Sequence, residues 1–184
     1  MFMEGNVKIL IVIRSYNEEK FISRCINDIL NQKCRFVFKV VVVDSGSTDN
    51  TVEMVKAFKQ VNLIQIPKDK FTYGRALNIG FESEPFDIGV AISAHCLPTN
   101  EHWLSNLVSP LLNDSEVALS FGSQIGLESL SRTSELIYFK ENYRQILQPE
   151  NYKAHNLLFN NAKSAPSSVS LTQSLGVIFS SELI

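Results

Sequence analysis

The chain has 184 residues, of which 45% are hydrophobic, 10% aromatic and 20% charged, the proportions of an ordinary globular domain and not of a collagenous, low-complexity or disordered chain. Seventeen Lys and Arg against nineteen Asp and Glu leave a formal charge of −2 without any cationic cluster, which argues against nucleic acid or an anionic membrane as a bulk electrostatic partner. The three cysteines, Cys25, Cys34 and Cys96, make no CxxC pair, so the sequence predicts free thiols in a reducing, cytosolic compartment.

Val7 to Ile13 is a short, continuous, β-branched run, which suits a strand buried on both faces. It is too short for a membrane helix, and no small-residue cleavage site follows it, so a signal peptide is not expected. From Glu18 to Gln32 the apolar residues Phe21, Ile22, Cys25, Ile26, Ile29 and Leu30 make a helical stripe, with Cys25 as a small core residue. Phe36 to Val43 is a second buried strand, followed by Asp44-Ser45-Gly46-Ser47-Thr48-Asp49 and a helix carrying Val52, Val55 and Phe58 inward. Leu63 to Ile66 is a third strand, stopped by Pro67. Gly74 to Glu82 reads as a helix and Asp87 to Ile92 as a fourth strand. Asn100 can cap the helix holding Trp103, Leu104, Leu107 and Val108, which Pro110 should kink or end. Val117 to Phe121 is a fifth apolar run, and Thr133 to Leu147 can form a further helix. From Asn160 the chain turns Ser- and Asn-rich without period, then stops after the apolar run Leu175 to Phe179, as if a larger unit had been cut or altered. The sequon Asn113-Asp114-Ser115 has no meaning without secretion.

Strands alternating with helices predict an α/β fold, a mostly parallel Rossmann-like sheet with helices on both faces and right-handed crossovers. Such sheets bind ligands beyond the carboxyl ends of their strands, near the reversal of strand order. The polar segments sit there: Ser15-Tyr16-Asn17-Glu18 after strand one, Asp44-Ser45-Gly46-Ser47 after strand two, Ser93-Ala94-His95 after strand four. Asp44 can accept from a base imide or a ribose hydroxyl, and Gly46 lets a ligand approach the backbone. Ser47, Thr48 or Asp49 can equally do no more than cap the next helix, and Glu18 can be a plain acidic residue at a helix start. No GxGxxG, GxxxxGK[ST], HExxH or GxSxG occurs, which removes the support for dinucleotide oxidoreductases, P-loop hydrolases, zinc proteases and esterase elbows.

The segments Val-Ile-Arg-Ser-Tyr-Asn-Glu-Glu at 12–19 and Val-Val-Val-Asp-Ser-Gly-Ser-Thr-Asp-Asn-Thr at 41–51 together resemble family-2 glycosyltransferases of the GT-A fold. Phe71 to Gly80, Ser93 to Pro98 and Trp103-Leu104 resemble the bacterial rhamnosyltransferase-like branch. The resemblance implies a nucleotide-sugar-binding GT-A core over 1–125 and an incomplete acceptor-side segment over 126–184. It implies a nucleotide-sugar donor with Tyr16 flanking the base, Glu18 at the ribose, Asp44 on the base edge, and Gly46 and Asp49 in the same loop. Arg75 and Asn78 fall on the donor-lining segment, where Arg75 can pair with a diphosphate or simply be an exposed helix arginine. The family's Asp-x-Asp, which holds Mg²⁺ or Mn²⁺, is here Ser93-Ala94-His95. His95 can then be a single metal ligand, a direct partner of the diphosphate, or a loop histidine bonded to backbone. His102 and His155 read as surface residues.

The resemblance further implies inverting transfer to a glycan or lipid-linked acceptor, in the cytoplasm or at the inner face of the cytoplasmic membrane, with peripheral membrane association. No residue is singled out as catalytic base, although Glu128, Glu135 and Glu141 are available. The alternative is a truncated or degenerate member that binds nucleotide sugar without turnover. A sugar nucleotidyltransferase ranks below both, because it would open with a Gly-rich loop where Arg14-Ser15-Tyr16-Asn17 stands.

Overall fold

In the computed structural model, residues 7–114, 117 and 119–122 are described, together with the backbone of 175–177. The strands β1 (Lys8–Ser15), β2 (Val37–Asp44), β3 (Val61–Gln65), β4 (Ile88–Ser93) and β5 (Leu175–Val177) form one sheet in the order β3-β2-β1-β4-β5. Every pairing is parallel. The helices are α1 (Ile22–Leu30), α2 (Thr51–Lys56), α3 (Tyr73–Glu82) and α4 (Trp103–Asn113), with a short 3₁₀ turn at Lys68–Lys70 before α3. The chain divides into two compact units, Met1–Phe121 with Leu171–Ile184, and Gly122–Ser170. All the named elements belong to the first unit. The helix expected at 133–147, the stretch from Asn160 to Ser174, and Glu128, Glu135 and Glu141 lie outside the described residues.

The continuous apolar strands follow from burial on both faces. Along β1, Ile9, Ile11 and Ile13 join one core with Ile22, Cys25, Ile26 and Ile29 of α1, Val55 of α2 and Leu104, Leu107, Val108 and Leu111 of α4. Leu10 and Val12 face the other way, into a smaller core with Val41, Val43 and Ala76 of α3. Each large side chain buried in this way contributes about 1.5–3 kcal/mol relative to exposure. On the thinner face α3 comes very close to the sheet, and a Cβ on Gly80 would collide with the side chains of Val12 and Val43. The expected architecture, a parallel sheet with helices on both faces, is what the chain forms.

Several boundaries differ from the sequence reading. The helix expected over Glu18–Gln32 is confined to Ile22–Leu30, because both ends have other partners. At its start, the Glu18 carbonyl accepts from Phe21 and Ile22 in a preceding turn. At its end, Gln32 Oε1 accepts from the Leu104 N–H at 2.9 Å, while its Nε2 donates to the carbonyls of Asn100 and Asp28. Gln32 thus satisfies a first-turn amide of α4, the place expected for Asn100. Asn100 Oδ1 accepts instead from His102 N–H, just before the helix. Pro110 does not end α4, which continues to Asn113. The apolar run at Val117–Phe121 forms no strand among its described residues, and the fifth strand comes from Leu175–Val177.

Candidate functional site

From β1 the chain adds β2 and β3 on one side, then returns over α3 to lay β4 on the other side of β1. Strand order therefore reverses between β1 and β4, and the register aligns Ser15 with Asp44 and Arg14 with Ser93 at the carboxyl edge. The loops after β1, β2 and β4 meet there, as the sequence predicts.

The first two loops are clasped together by their own side chains. Ser47 Oγ accepts from the Asn17 N–H at 2.8 Å and donates to Asp44 Oδ1. Thr51 Oγ1 repeats the arrangement, accepting from the Glu18 N–H at 2.8 Å and donating to Asp49 Oδ1 at 2.5 Å. Asn17, in the left-handed region at φ 54°, accepts through Oδ1 from Thr48 N–H, and Glu19 Oε2 accepts from the backbone and side-chain amides of Asn50. Asp44 is wholly buried, and its Oδ2 accepts from the amides of Gly46 and Ser47. Asp49 also accepts from the N–H groups of Thr51 and Glu19. Burial acts to raise the Asp49 carboxyl, but the bonds from the Thr51 hydroxyl and these amides outweigh it and hold the group below its ordinary value. Asp44 and Asp49, singled out as ligand candidates, thus make their contacts in this structure with the loops themselves.

Gly46 has φ +84°, a conformation that favours glycine. What approaches its backbone is Lys68, whose amide nitrogen would lie 3.2 Å from an added Cβ. Lys68 also donates from Nζ to the Tyr16 hydroxyl at 2.7 Å, and Tyr16 is 38% exposed. The third loop joins through Glu18, whose Oε1 lies 2.6 Å from His95 Nδ1, while His95 Nε2 is buried and has no hydrogen-bond partner among the described residues. The turn bearing His95 is pinned on both sides, by Ala94 N–H to the Arg14 carbonyl and by Cys96 N–H to the Ser93 carbonyl, both at 2.9 Å. Beneath it the Cys25 thiol donates to the Cys96 carbonyl at 3.4 Å, and burial raises both thiols above their ordinary value, Cys25 strongly.

On the α3 side, Arg75 is exposed in the first turn, where its N–H is capped by Thr72 Oγ1. Asn78 is half-buried, and its Oδ1 is buried without a hydrogen-bond partner among the described residues. Neither meets the Glu18–His95 pair through a direct hydrogen bond. Two cations went unnoticed in the sequence. Arg14 is 8% exposed, donates to Ser93 Oγ at 3.1 Å, and sets its guanidinium 4.8 Å from the centre of the Tyr73 ring. The alternation Leu10, Val12, Arg14 already placed it on the α3 face. Nothing local to Lys68 pointed to Tyr16. His102, expected at the surface, has a side chain 57% exposed.

The model of a family described as Glycosyl transferase family 2 matches residues 10–167. Chondroitin synthase of Pasteurella multocida (strain Pm70) is 26% identical over 118 residues, which are 62% of this chain and 12% of that protein. The O-antigen chain rhamnosyltransferase RfbN of Salmonella typhimurium is 24% identical over 120 residues, 65% of this chain and 38% of that one. Among solved structures, a mannosyltransferase from Pyrobaculum calidifontis in complex with GDP-Man and Mn²⁺ superposes with a TM-score of 0.56 at 25% identity, over 66% of this chain and 37% of the other. Glucosyl-3-phosphoglycerate synthase from Mycobacterium tuberculosis, in complex with Mn²⁺, UDP and phosphoglyceric acid, gives 0.53 at 25% identity, over 60% and 41%. This chain spans only 12% and 38% of the length of the two curated relatives named. The GT-A-like fold expected from the sequence is the fold these glycosyltransferases share.

Proposed function

The chain belongs to glycosyl transferase family 2, and from that premise we propose that it transfers a sugar from a nucleoside-diphosphate donor bound at the carboxyl edge of β1, β2 and β4. The observation that carries this is the convergence of three loops at the reversal of strand order, joined across it by the 2.6 Å bond between Glu18 and His95. Tyr16 flanks the base, and the clasped loop containing Asp44, Gly46 and Asp49 forms the wall beside it. Glu18 stands toward the ribose, and Arg75 and Asn78 on α3 line the diphosphate side. Arg14 and Lys68 add buried and rim positive charge to a pocket for an anionic donor.

Transfer of this kind breaks the bond between the anomeric carbon and the diphosphate as the acceptor hydroxyl attacks from the opposite face, giving inversion. A divalent cation, Mg²⁺ or Mn²⁺, supplies charge neutralisation for the leaving diphosphate when bound. Among the described residues no group of three His, Cys, Asp or Glu could hold it. The unpartnered His95 Nε2 fits a site with one protein ligand, the rest of the shell being phosphate oxygen and water. The acceptor is a glycan or a lipid-linked glycan, met by the acceptor-side segment of the chain. Among the described residues no helix is long and apolar enough to cross a membrane, and the reading places the protein in the cytoplasm, associating peripherally with the membrane face where lipid-linked acceptors lie.

Calorimetric titration with UDP, GDP and dTDP, with and without Mn²⁺, tests the reading. One nucleotide is expected to bind, and Tyr16→Ala should weaken it about tenfold, the loss of one base-stacking contact. A folded protein that binds none of the three would overturn the donor site. Binding without sugar transfer to any acceptor would instead favour the binding-only reading.

A further inference from the structure

Three features of the β4 turn converge on His95. The ring sits on a turn fixed by backbone bonds on both sides, at Ala94 and Cys96. Its Nδ1 lies 2.6 Å from Glu18 Oε1, in a pair whose side chains are only 29% and 18% exposed. Its Nε2 is buried and has no hydrogen-bond partner among the described residues. Glu18 is itself anchored, because its amide is held by the Thr51 hydroxyl at 2.8 Å. With the Glu18 oxygen as the acceptor in this 2.6 Å contact, Nδ1 is the donor and carries the proton. A neutral ring in that state carries its lone pair on Nε2, the reverse of the tautomer that imidazole prefers in water. Outer carboxylates of this kind set the tautomer and plane of histidines that bind metals.

We propose that Glu18 is a positioning residue that acts through His95, holding the ring as the Nδ1–H tautomer so that the Nε2 lone pair is presented to the cation accompanying the donor diphosphate. The proposal rests on the donor-site reading above and deepens it. It joins into one unit the two residues, Glu18 and His95, that the sequence reading treated separately. Ser93 and Ala94 carry no carboxylate, so the imidazole is the one strong metal-ligating side chain of the three, and its orientation sets what the protein adds to a shell of phosphate oxygen and water.

Long-range ¹H–¹⁵N spectra of the full chain labelled with ¹⁵N-histidine, recorded where the rings are neutral, read this directly, with His95→Gln identifying the signals. Wild type should show a pyrrole-type Nδ1 and a pyridine-type Nε2 at His95. Glu18→Gln, which keeps an acceptor oxygen, should retain that pattern, and Glu18→Ala should move the ring largely to the Nε2–H form. The gain in nucleoside-diphosphate affinity conferred by Mn²⁺ should fall about 10- to 100-fold in Glu18→Ala. A wild-type ring protonated at Nε2, or a tautomer indifferent to Glu18→Ala, overturns the proposal alone. So does a tautomer that switches while Mn²⁺-dependent binding stays unchanged. Wild type that binds no nucleotide overturns the donor-site reading and this proposal with it. Should Glu18→Ala fail to give a folded amide spectrum, Glu18→Lys, which retains a long stem but donates instead of accepting, makes the same comparison.

Discussion

The loops after β2 and β4 leave the same edge of one sheet but use their polar groups in opposite ways. After β2, Asp44, Ser47, Asp49 and Thr51 bond to one another and to the loop after β1, so that their carboxylates and hydroxyls are occupied by protein. After β4, the His95 ring has one partner through Nδ1 and none through Nε2 among the described residues. The first loop bonds nearly all its polar groups to protein, with Ser45 Oγ the exception, whereas the second leaves a ring nitrogen without a partner among the described residues. A run of Ser, Thr and Asp at a strand end therefore does not announce a ligand by itself. The atom left without a partner is the stronger pointer, because a buried polar group lacking a hydrogen bond is costly.

Breaking the wall should have the largest effect on stability. Asp44→Ala leaves the amides of Gly46 and Ser47 and the Ser47 hydroxyl without their buried acceptor, and should cost about 3 kcal/mol in chemical unfolding. A variant as stable as wild type that has lost nucleotide binding would reverse the comparison, making Asp44 the ligand's partner and not the loop's. Thr51→Val keeps the shape but removes the hydroxyl between Glu18 N–H and Asp49, and about 1–2 kcal/mol should be lost in the same measurement.

Asp49 sharpens the contrast through pH. Its folded carboxyl lies below its unfolded value, so its contribution is full above the ordinary carboxylate range and disappears as pH falls through the folded value. The stability gap between wild type and Asp49→Asn, followed by urea unfolding at a series of pH values, should be widest near neutrality and close in acid. A gap that widens in acid would contradict the hydrogen-bonded wall. The smallest effect on stability belongs to the open loop. His95→Gln, which disturbs a single part-buried bond to Glu18, should cost about 0.5–1 kcal/mol of unfolding free energy, yet abolish the Mn²⁺ dependence of nucleotide binding. A destabilisation as large as that of Thr51→Val would place His95 in the wall.

The strands β1, β2 and β4 and the inward faces of α1 and α4 were legible in the sequence, because runs of Val and Ile and stripes at helical spacing depend only on neighbours along the chain; on α2 only Val55 of the expected Val52, Val55 and Phe58 is a buried helix residue, beside Thr51. The meeting of the three loops at the carboxyl edge followed from the same alternation. Less of its wiring could be read. Asn17 and Ser47 are 30 positions apart, and Glu18 and His95 are 77 apart. Arg14 was passed over because its strand reads as core, and Lys68 because a lone lysine after a proline carries no local signal.

The amino-acid order by itself settled the element types as far as α4, the parallel sheet and the family likeness, since each rests on short-range pattern or on motif identity. Only the tertiary structure decided that Gln32 caps α4, that the Asp44 and Asp49 carboxylates hold a loop, and that Glu18 turns toward His95. A side chain with several possible acceptors takes whichever one packing brings within about 3 Å, and that proximity is a property of the folded chain.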